Sequence, residues 1–159
     1  MISNPNWHMM GVIQPPQKME TYMQQALALA KRAYEAGEVP VGAVVVLDGV
    51  VVGEGYNRVE EQRDATAHAE LLALQAACKG TGMKYLVNAT LYTTLEPCPM
   101  CAMASFWTQI DTVVFGASDA KRGYRTISSQ LLHPRTKVVQ GIHKKACQKL
   151  LKEFFRALR

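Results

Sequence analysis

Acidic residues almost vanish from the last part of this 159-residue sequence. Between Lys121 and Arg159 there is one, Glu153, against eleven Lys and Arg. The first 120 residues have the opposite balance, twelve Asp and Glu against seven Lys and Arg, so a net charge of +5 joins an acidic body to a basic C-terminal third. Such a third points to an anionic partner such as a nucleic acid, or else to a solvated basic helix. Long apolar runs are also missing. The longest, Val39 to Leu47, is stopped by Asp48, well short of the ~20 residues that cross a bilayer, and no membrane partner is expected. The N-terminal stretch has no charged start followed by an apolar segment, so it does not read as a secretory signal. Four cysteines are too few for a disulfide scaffold. Two of them, in Cys98-Pro-Met-Cys101, have a spacing suited to metal or redox chemistry in a reducing compartment, and a cytoplasmic location is expected. There are no internal repeats or low-complexity tracts. Hydrophobic residues at 48% and charged residues at 19% describe a globular chain with its own core.

Pro15-Pro16 closes an N-terminal arm over residues 1–17, expected to be mobile, and 18–159 is expected to form one domain. Met19, Tyr22, Met23, Ala26, Leu27, Ala30, Ala33 and Tyr34 follow a helical repeat, with Gly37 as the stop. Two β-rich runs, Val39 to Leu47 and Val50 to Tyr56, flank Asp48-Gly49, a strong hairpin signal. A second helix, capped by Thr66 or Asp64, is predicted to reach Lys79 and end at Gly80. Ala89 to Thr94 reads as an interior strand, Pro99 opens a short helix to Trp107, and Thr112 to Ala117 is another strand. Lys121 to Arg135 has no clean period and reads as a long loop with some helix. Lys137 to Gln140 is predicted as an edge strand and Lys144 to Leu158 as the last helix. A hairpin followed by strands joined through helices predicts a three-layer α/β/α sandwich on a mixed five-stranded sheet.

Two motifs carry the chemistry. His68-Ala69-Glu70 opens the second helix, and Pro97-Cys98-Pro99-Met100-Cys101 lies between a strand and a helix start. Alone, each is modest: a single His at a helix start is more often structural, and a single Cys-x-x-Cys also fits a redox pair or half a zinc ribbon. Together they are stronger, because both helix starts can meet at the carboxyl edge of the sheet, where ligands bind. Two thiolates and one imidazole fill three of the four tetrahedral positions of Zn²⁺ and leave one for water, the mark of a catalytic site. Helix N-termini favour the thiolate form. One zinc per chain, held by His68, Cys98 and Cys101, is therefore expected. Glu70 can stand beside the metal without replacing a ligand, take a proton from water and deliver it to a leaving amine. His-x-Glu with a downstream Pro-Cys-x-x-Cys is the signature of the zinc deaminases.

At these residues the chain resembles the cytidine deaminase superfamily, and looks closest to bacterial tRNA-specific adenosine deaminases, which make inosine at the wobble position. The likeness takes in Val39-Pro40-Val41-Gly42-Ala43-Val44-Val45-Val46, Gly53-Glu54-Gly55-Tyr56-Asn57-Arg58, Thr66-Ala67-His68-Ala69-Glu70, Thr90 to Cys98, Val113-Val114-Phe115-Gly116-Ala117, Asp119-Ala120-Lys121 and Phe154-Phe155-Arg156. It implies a cytidine deaminase-like fold, a base edge bound by Asn57, and a pocket lined by backbone around Ala43 and by the Ala69 N–H. It also implies hydrolytic loss of an exocyclic amine, and a homodimer. The leading substrate is adenosine in a tRNA anticodon loop. Between Lys121 and Val138, however, the chain lacks the Gly-Ala-x-Ser-Leu segment and the Asn-His pair usual in the tRNA enzymes, so a free base or nucleoside such as guanine or cytosine stays open.

Other residues carry less. Glu96 reads as a pocket residue or, more readily, a holder of neighbouring backbone, Cys78 and Cys147 as core thiols, and Phe106-Trp107 as a core or dimer contact. On the last helix, Lys145, Lys149, Lys152, Arg156 and Arg159 form one basic stripe, and Cys147, Leu150, Leu151, Phe154 and Leu158 form an apolar one. The stripe favours an RNA contact through phosphates over a solvated face. Two readings from other classes remain: a thiol-disulfide protein, which needs neither His68 nor Glu70, and a zinc-stabilised RNA-binding module, which leaves Glu70 without a task.

Overall fold

A computed structural model describes residues 16–159. The arm expected over 1–17 lies outside the described residues except for its last two, which open the first helix, α1 (Pro16–Glu35). The apolar repeat buries Met19, Tyr22, Met23, Ala26, Leu27, Ala30 and Ala33, and Gly37 at φ +79° ends the turn. The hairpin forms as predicted between β1 (Gly42–Leu47) and β2 (Val50–Tyr56). Leu47 pairs with Val50, and Asp48 and Gly49 both take positive φ, as a two-residue primed turn requires. β1 starts at Gly42 rather than Val39, because Pro40 has no N–H for a ladder.

A four-residue helix that the sequence did not announce follows, α2 (Val59–Gln62), and then α3 (Ala69–Thr81). The caps of α3 differ from expectation. Asp64 spends its carboxylate on the Thr66 N–H (2.8 Å) and hydroxyl (2.7 Å), an Asx turn, so the helix begins beyond it with His68 as the N-cap. The helix ends at Gly82, left-handed at φ +72°, rather than at Gly80. β3 spans Thr90–Leu95, one residue later than predicted. α4 (Pro99–Trp107), β4 (Thr112–Ala117) and β5 (Lys137–Gln140) fall where expected, and the stretch between β4 and β5 holds only two short 3-10 turns. The last helix, α5, is Lys144–Ala157.

The sheet order is β2-β1-β3-β4-β5, with β1 antiparallel to both neighbours and β3, β4 and β5 parallel. Strand alternation divides the core. Ala43, Val45, Leu91, Val113 and Phe115 pack toward α3 and α4, whereas Val44, Val46, Tyr92 and Val114 pack toward α1 and α5. This is the three-layer sandwich, and each large apolar side chain buried in it contributes about 1.5–3 kcal/mol. β2 and β3 point the same way, each being antiparallel to β1. The helices that follow them, α3 and α4, therefore start at the same edge of the sheet. Gly55 lets α3 come close: a Cβ there would collide with the Ala69 carbonyl oxygen.

Candidate active site

His68 is the N-cap of α3, and Cys98 is the N-cap of α4 with Pro99 in its first turn. The shared sheet edge brings them together. His68 Nδ1 lies 3.6 Å from Cys98 Sγ and 3.6 Å from Cys101 Sγ, one turn into α4, and the three ligand atoms lie within 4.8 Å of one another. A tetrahedral zinc with Zn–S of about 2.3 Å and Zn–N of about 2.0 Å needs roughly 3.5 Å between N and S, so the set fits the ion. Nδ1 is the ring atom that faces both thiols. A hydrogen bond from Cys101, with help from His68, pulls the Cys98 thiol down to about 4 against its burial. Sharing that bond and being buried push Cys101 up, and the bond to Cys98 pushes His68 up.

Glu70 sits in the first turn of α3, only 4% exposed, and lines the same cavity as His68 and Cys98. Burial first, then the Cys98 charge, pushes its carboxyl up to about 7, while its own backbone N–H and His68 pull the other way. A carboxyl near neutrality accepts and returns protons with little driving force lost.

The cavity, about 560 Å³, also takes in Val39, Val41, Asn57, Glu96, Asp119 and Arg122. Asn57 thus stands at the site as expected, but its Oδ1 accepts the Ala69 N–H at 2.8 Å. The Ala69 N–H is therefore spent on Asn57 instead of lining the pocket. Ala43 is not among the cavity walls either. It pairs with Gly55 and Thr93 inside the sheet, and Val41, two residues earlier, takes the lining position.

Two buried carboxylates position the walls. Glu38, 2% exposed, accepts from the backbone N–H groups of Glu60 (3.0 Å) and Glu61 (2.9 Å), and so caps α2 from 22 residues away. Sequence reasoning missed it, since no local pattern joins the two segments. Glu96 holds backbone as expected, accepting from Asp119 N at 3.1 Å and Arg125 N at 3.2 Å.

On α5, Lys145, Lys149, Lys152 and Arg156 share one exposed face. Cys147 and Phe154 are buried. Leu150 and Leu151 are half-buried, and Leu158, expected in the apolar stripe, lies past the end of the helix and is exposed. Leu151, Phe154, Phe155 and Leu158 border the cavity. Cys147 is a core thiol as expected, whereas Cys78 is only half-buried. Trp107, 69% exposed, is not a core residue, while Phe106 is half-buried against it.

Residues 16–117 match the family of the cytidine and deoxycytidylate deaminase zinc-binding region. The chain is 42% identical over 145 residues to the tRNA-specific adenosine deaminase of Bacillus subtilis strain 168, covering 88% of this chain and 90% of that protein. A structure solved in a study of A-to-I editing by tRNA:A34 deaminases superposes with a TM-score of 0.77 at 40% identity, covering 82% of this chain and 99% of the other. A guanine deaminase from Nitrosomonas europaea is more distant, with a TM-score of 0.72 at 27% identity over 85% of this chain and 83% of that one.

Proposed function

Because this chain belongs to the cytidine and deoxycytidylate deaminase family and is a zinc-dependent deaminase, we propose that it converts adenosine to inosine at the wobble position of a tRNA anticodon loop. One observation supports a polynucleotide over a free base. The single helix α5 lends Leu151, Phe154 and Phe155 to the cavity that holds Glu70, and on another face exposes Lys145, Lys149, Lys152 and Arg156. A substrate that fills the cavity and extends as a phosphate chain can meet both faces.

His68, Cys98 and Cys101 would hold the zinc, which when bound supplies water acidic enough to lose a proton near neutral pH. Glu70 accepts that proton. It delivers that proton to the ring nitrogen, then takes the remaining proton of the hydroxyl added to the ring carbon and passes it to the departing amine, so the ring carbon exchanges nitrogen for oxygen and ammonia leaves. Asn57 has its oxygen committed to Ala69, and so offers its amide N–H groups to an acceptor on the base edge. The buried walls around Glu70 keep bulk water from competing for its proton.

Met100 and Trp107, both exposed and two turns apart on α4, support a homodimer through that face of the helix. Among the described residues no helix is long and apolar enough to cross a membrane. A cytoplasmic location accords with thiols that must stay reduced to bind metal.

The deciding experiment incubates the zinc-loaded protein with anticodon stem-loop RNA and with free guanine, cytosine, adenosine and cytidine, reading inosine and ammonia. Inosine in the RNA is expected. Robust deamination of a free base with none of the RNA would replace this reading by a small-molecule deaminase.

A further inference from the structure

The segment from Lys121 to Val138, where the sequence departs from the pattern of the tRNA enzymes, places Arg125 at the ends of three parallel strands. Its Nε and backbone N–H donate to Glu96 Oε2, each at 3.2 Å, and its Nη2 donates to Glu96 Oε1 at 2.9 Å. Nη2 also reaches Ser118 Oγ and Nη1 reaches Gln140 Oε1, each at 3.2 Å. The guanidinium lies 5.1 Å from the centre of the Phe115 ring. Glu96 follows β3, Phe115 and Ser118 lie at the end of β4, and Gln140 ends β5. Arg125 therefore staples the carboxyl edge of the sheet, where the cavity opens.

The consequence for the cavity runs through Glu96. Its carboxylate is almost fully buried and also accepts the Asp119 N–H at 3.1 Å. Asp119 in turn accepts the Lys121 and Arg122 N–H groups, and the Tyr124 N–H donates to Pro97 O at 2.8 Å, directly before Cys98. Gly123 passes so near the Glu96 carboxylate that a Cβ would overlap it. Asp119 and Arg122 are cavity walls. A fork of guanidinium donors satisfies both carboxylate oxygens at once, which a lysine ammonium cannot reproduce.

We propose that Arg125 is a positioning residue for the substrate mouth: through Glu96 it holds the Asp119–Arg122 wall in the shape that receives the RNA. This rests on the reading of RNA as the substrate. Arg125→Met and Arg125→Lys are compared with the parent for zinc content, for steady-state kinetics on anticodon stem-loop RNA, and for amide hydrogen exchange. For Arg125→Met, KM is expected to rise about tenfold with kcat held within about threefold, the pattern of weakened ground-state and transition-state binding alike. Zinc stays at one per chain, and exchange speeds up over residues 119–126 but not in β3 or β4. Arg125→Lys keeps the charge but loses the fork, so it too should raise KM, and it serves as the test if the Met variant does not fold. Unchanged KM with unchanged exchange would overturn the proposal, as would loss of kcat and zinc at constant KM, which would place the effect at the metal. A parent protein inactive on the RNA would count against the substrate reading alone, because the exchange measurement still decides whether Arg125 holds the wall.

Discussion

The side-chain oxygen of Asn57 accepts the backbone N–H of Ala69 at 2.8 Å. Ala69 is the first residue of α3, directly after the metal-ligand candidate His68 and directly before Glu70. The residue expected to read the base thus also closes the first turn of the helix that carries the candidate metal ligand and proton-transfer group. The His68 side chain makes no capping bond of its own, so Asn57 supplies the cap from outside the helix.

Two substitutions separate these roles. Asn57→Ala loses both, and should cost about 1 kcal/mol of stability, as for removal of an N-cap, together with most of kcat/KM. Asn57→Asp keeps an acceptor for Ala69 but has no N–H for the base. Its urea midpoint should stay near that of the parent while kcat/KM falls as far as in the Ala variant. Equal stability losses in both variants would mean that the cap does not depend on this oxygen.

Glu70→Gln should keep the fold and the zinc while turnover falls by ~10²–10⁴-fold, the usual scale of general acid–base help. The amide matches the carboxyl in shape and carries no buried charge, so thermal stability should not drop. A zinc-loaded Glu70→Gln protein with near-parental turnover would remove this carboxylate from the reaction.

Zinc uptake should release protons. The bond to Cys98 and then burial keep the Cys101 thiol protonated well above neutral pH, and the bond to Cys98 raises His68, whereas Cys98 is already a thiolate down to about 4. Metal binding needs two thiolates and a neutral imidazole. Affinity should therefore weaken as pH falls, because protons compete for Cys101 and increasingly for His68. Titration of chelator-stripped protein with zinc in weakly buffered indicator dye reads the release, and uptake that leaves the dye unchanged at pH 7 would contradict the ligand set.

Neutral replacements of Lys149, Lys152 and Arg156 should weaken RNA binding and lower the slope of log affinity against log salt by roughly 0.7 for each phosphate no longer neutralised, the single-strand figure. Turnover at saturating RNA should change little, because these side chains point away from the cavity that Leu151 and Phe154 line on the same helix. Binding measured by fluorescence anisotropy at several salt concentrations decides it, and an unchanged slope would assign the stripe to solvent.

Signals that act within a few residues were readable from the sequence. The repeat from Met19 to Tyr34, the Asp48-Gly49 turn, Pro99 at a helix start and the β-branched run at Thr112 each depend on neighbours along the chain, and each element formed where those neighbours placed it. Residue chemistry likewise named His68, Cys98, Cys101 and Glu70, since imidazole, thiolates and a carboxylate keep their character wherever the fold carries them. What the fold alone decided are the bonds between distant segments. The Glu38 cap on α2, the Arg125 fork on Glu96 and the capture of the Ala69 N–H by Asn57 span 22, 29 and 12 residues. Their geometry exists only after the sheet has ordered its strands. The same cause moved the start of α3: a local cap at Asp64 was available, but its carboxylate closed a turn first, and packing of α3 on β2 made His68 the cap instead.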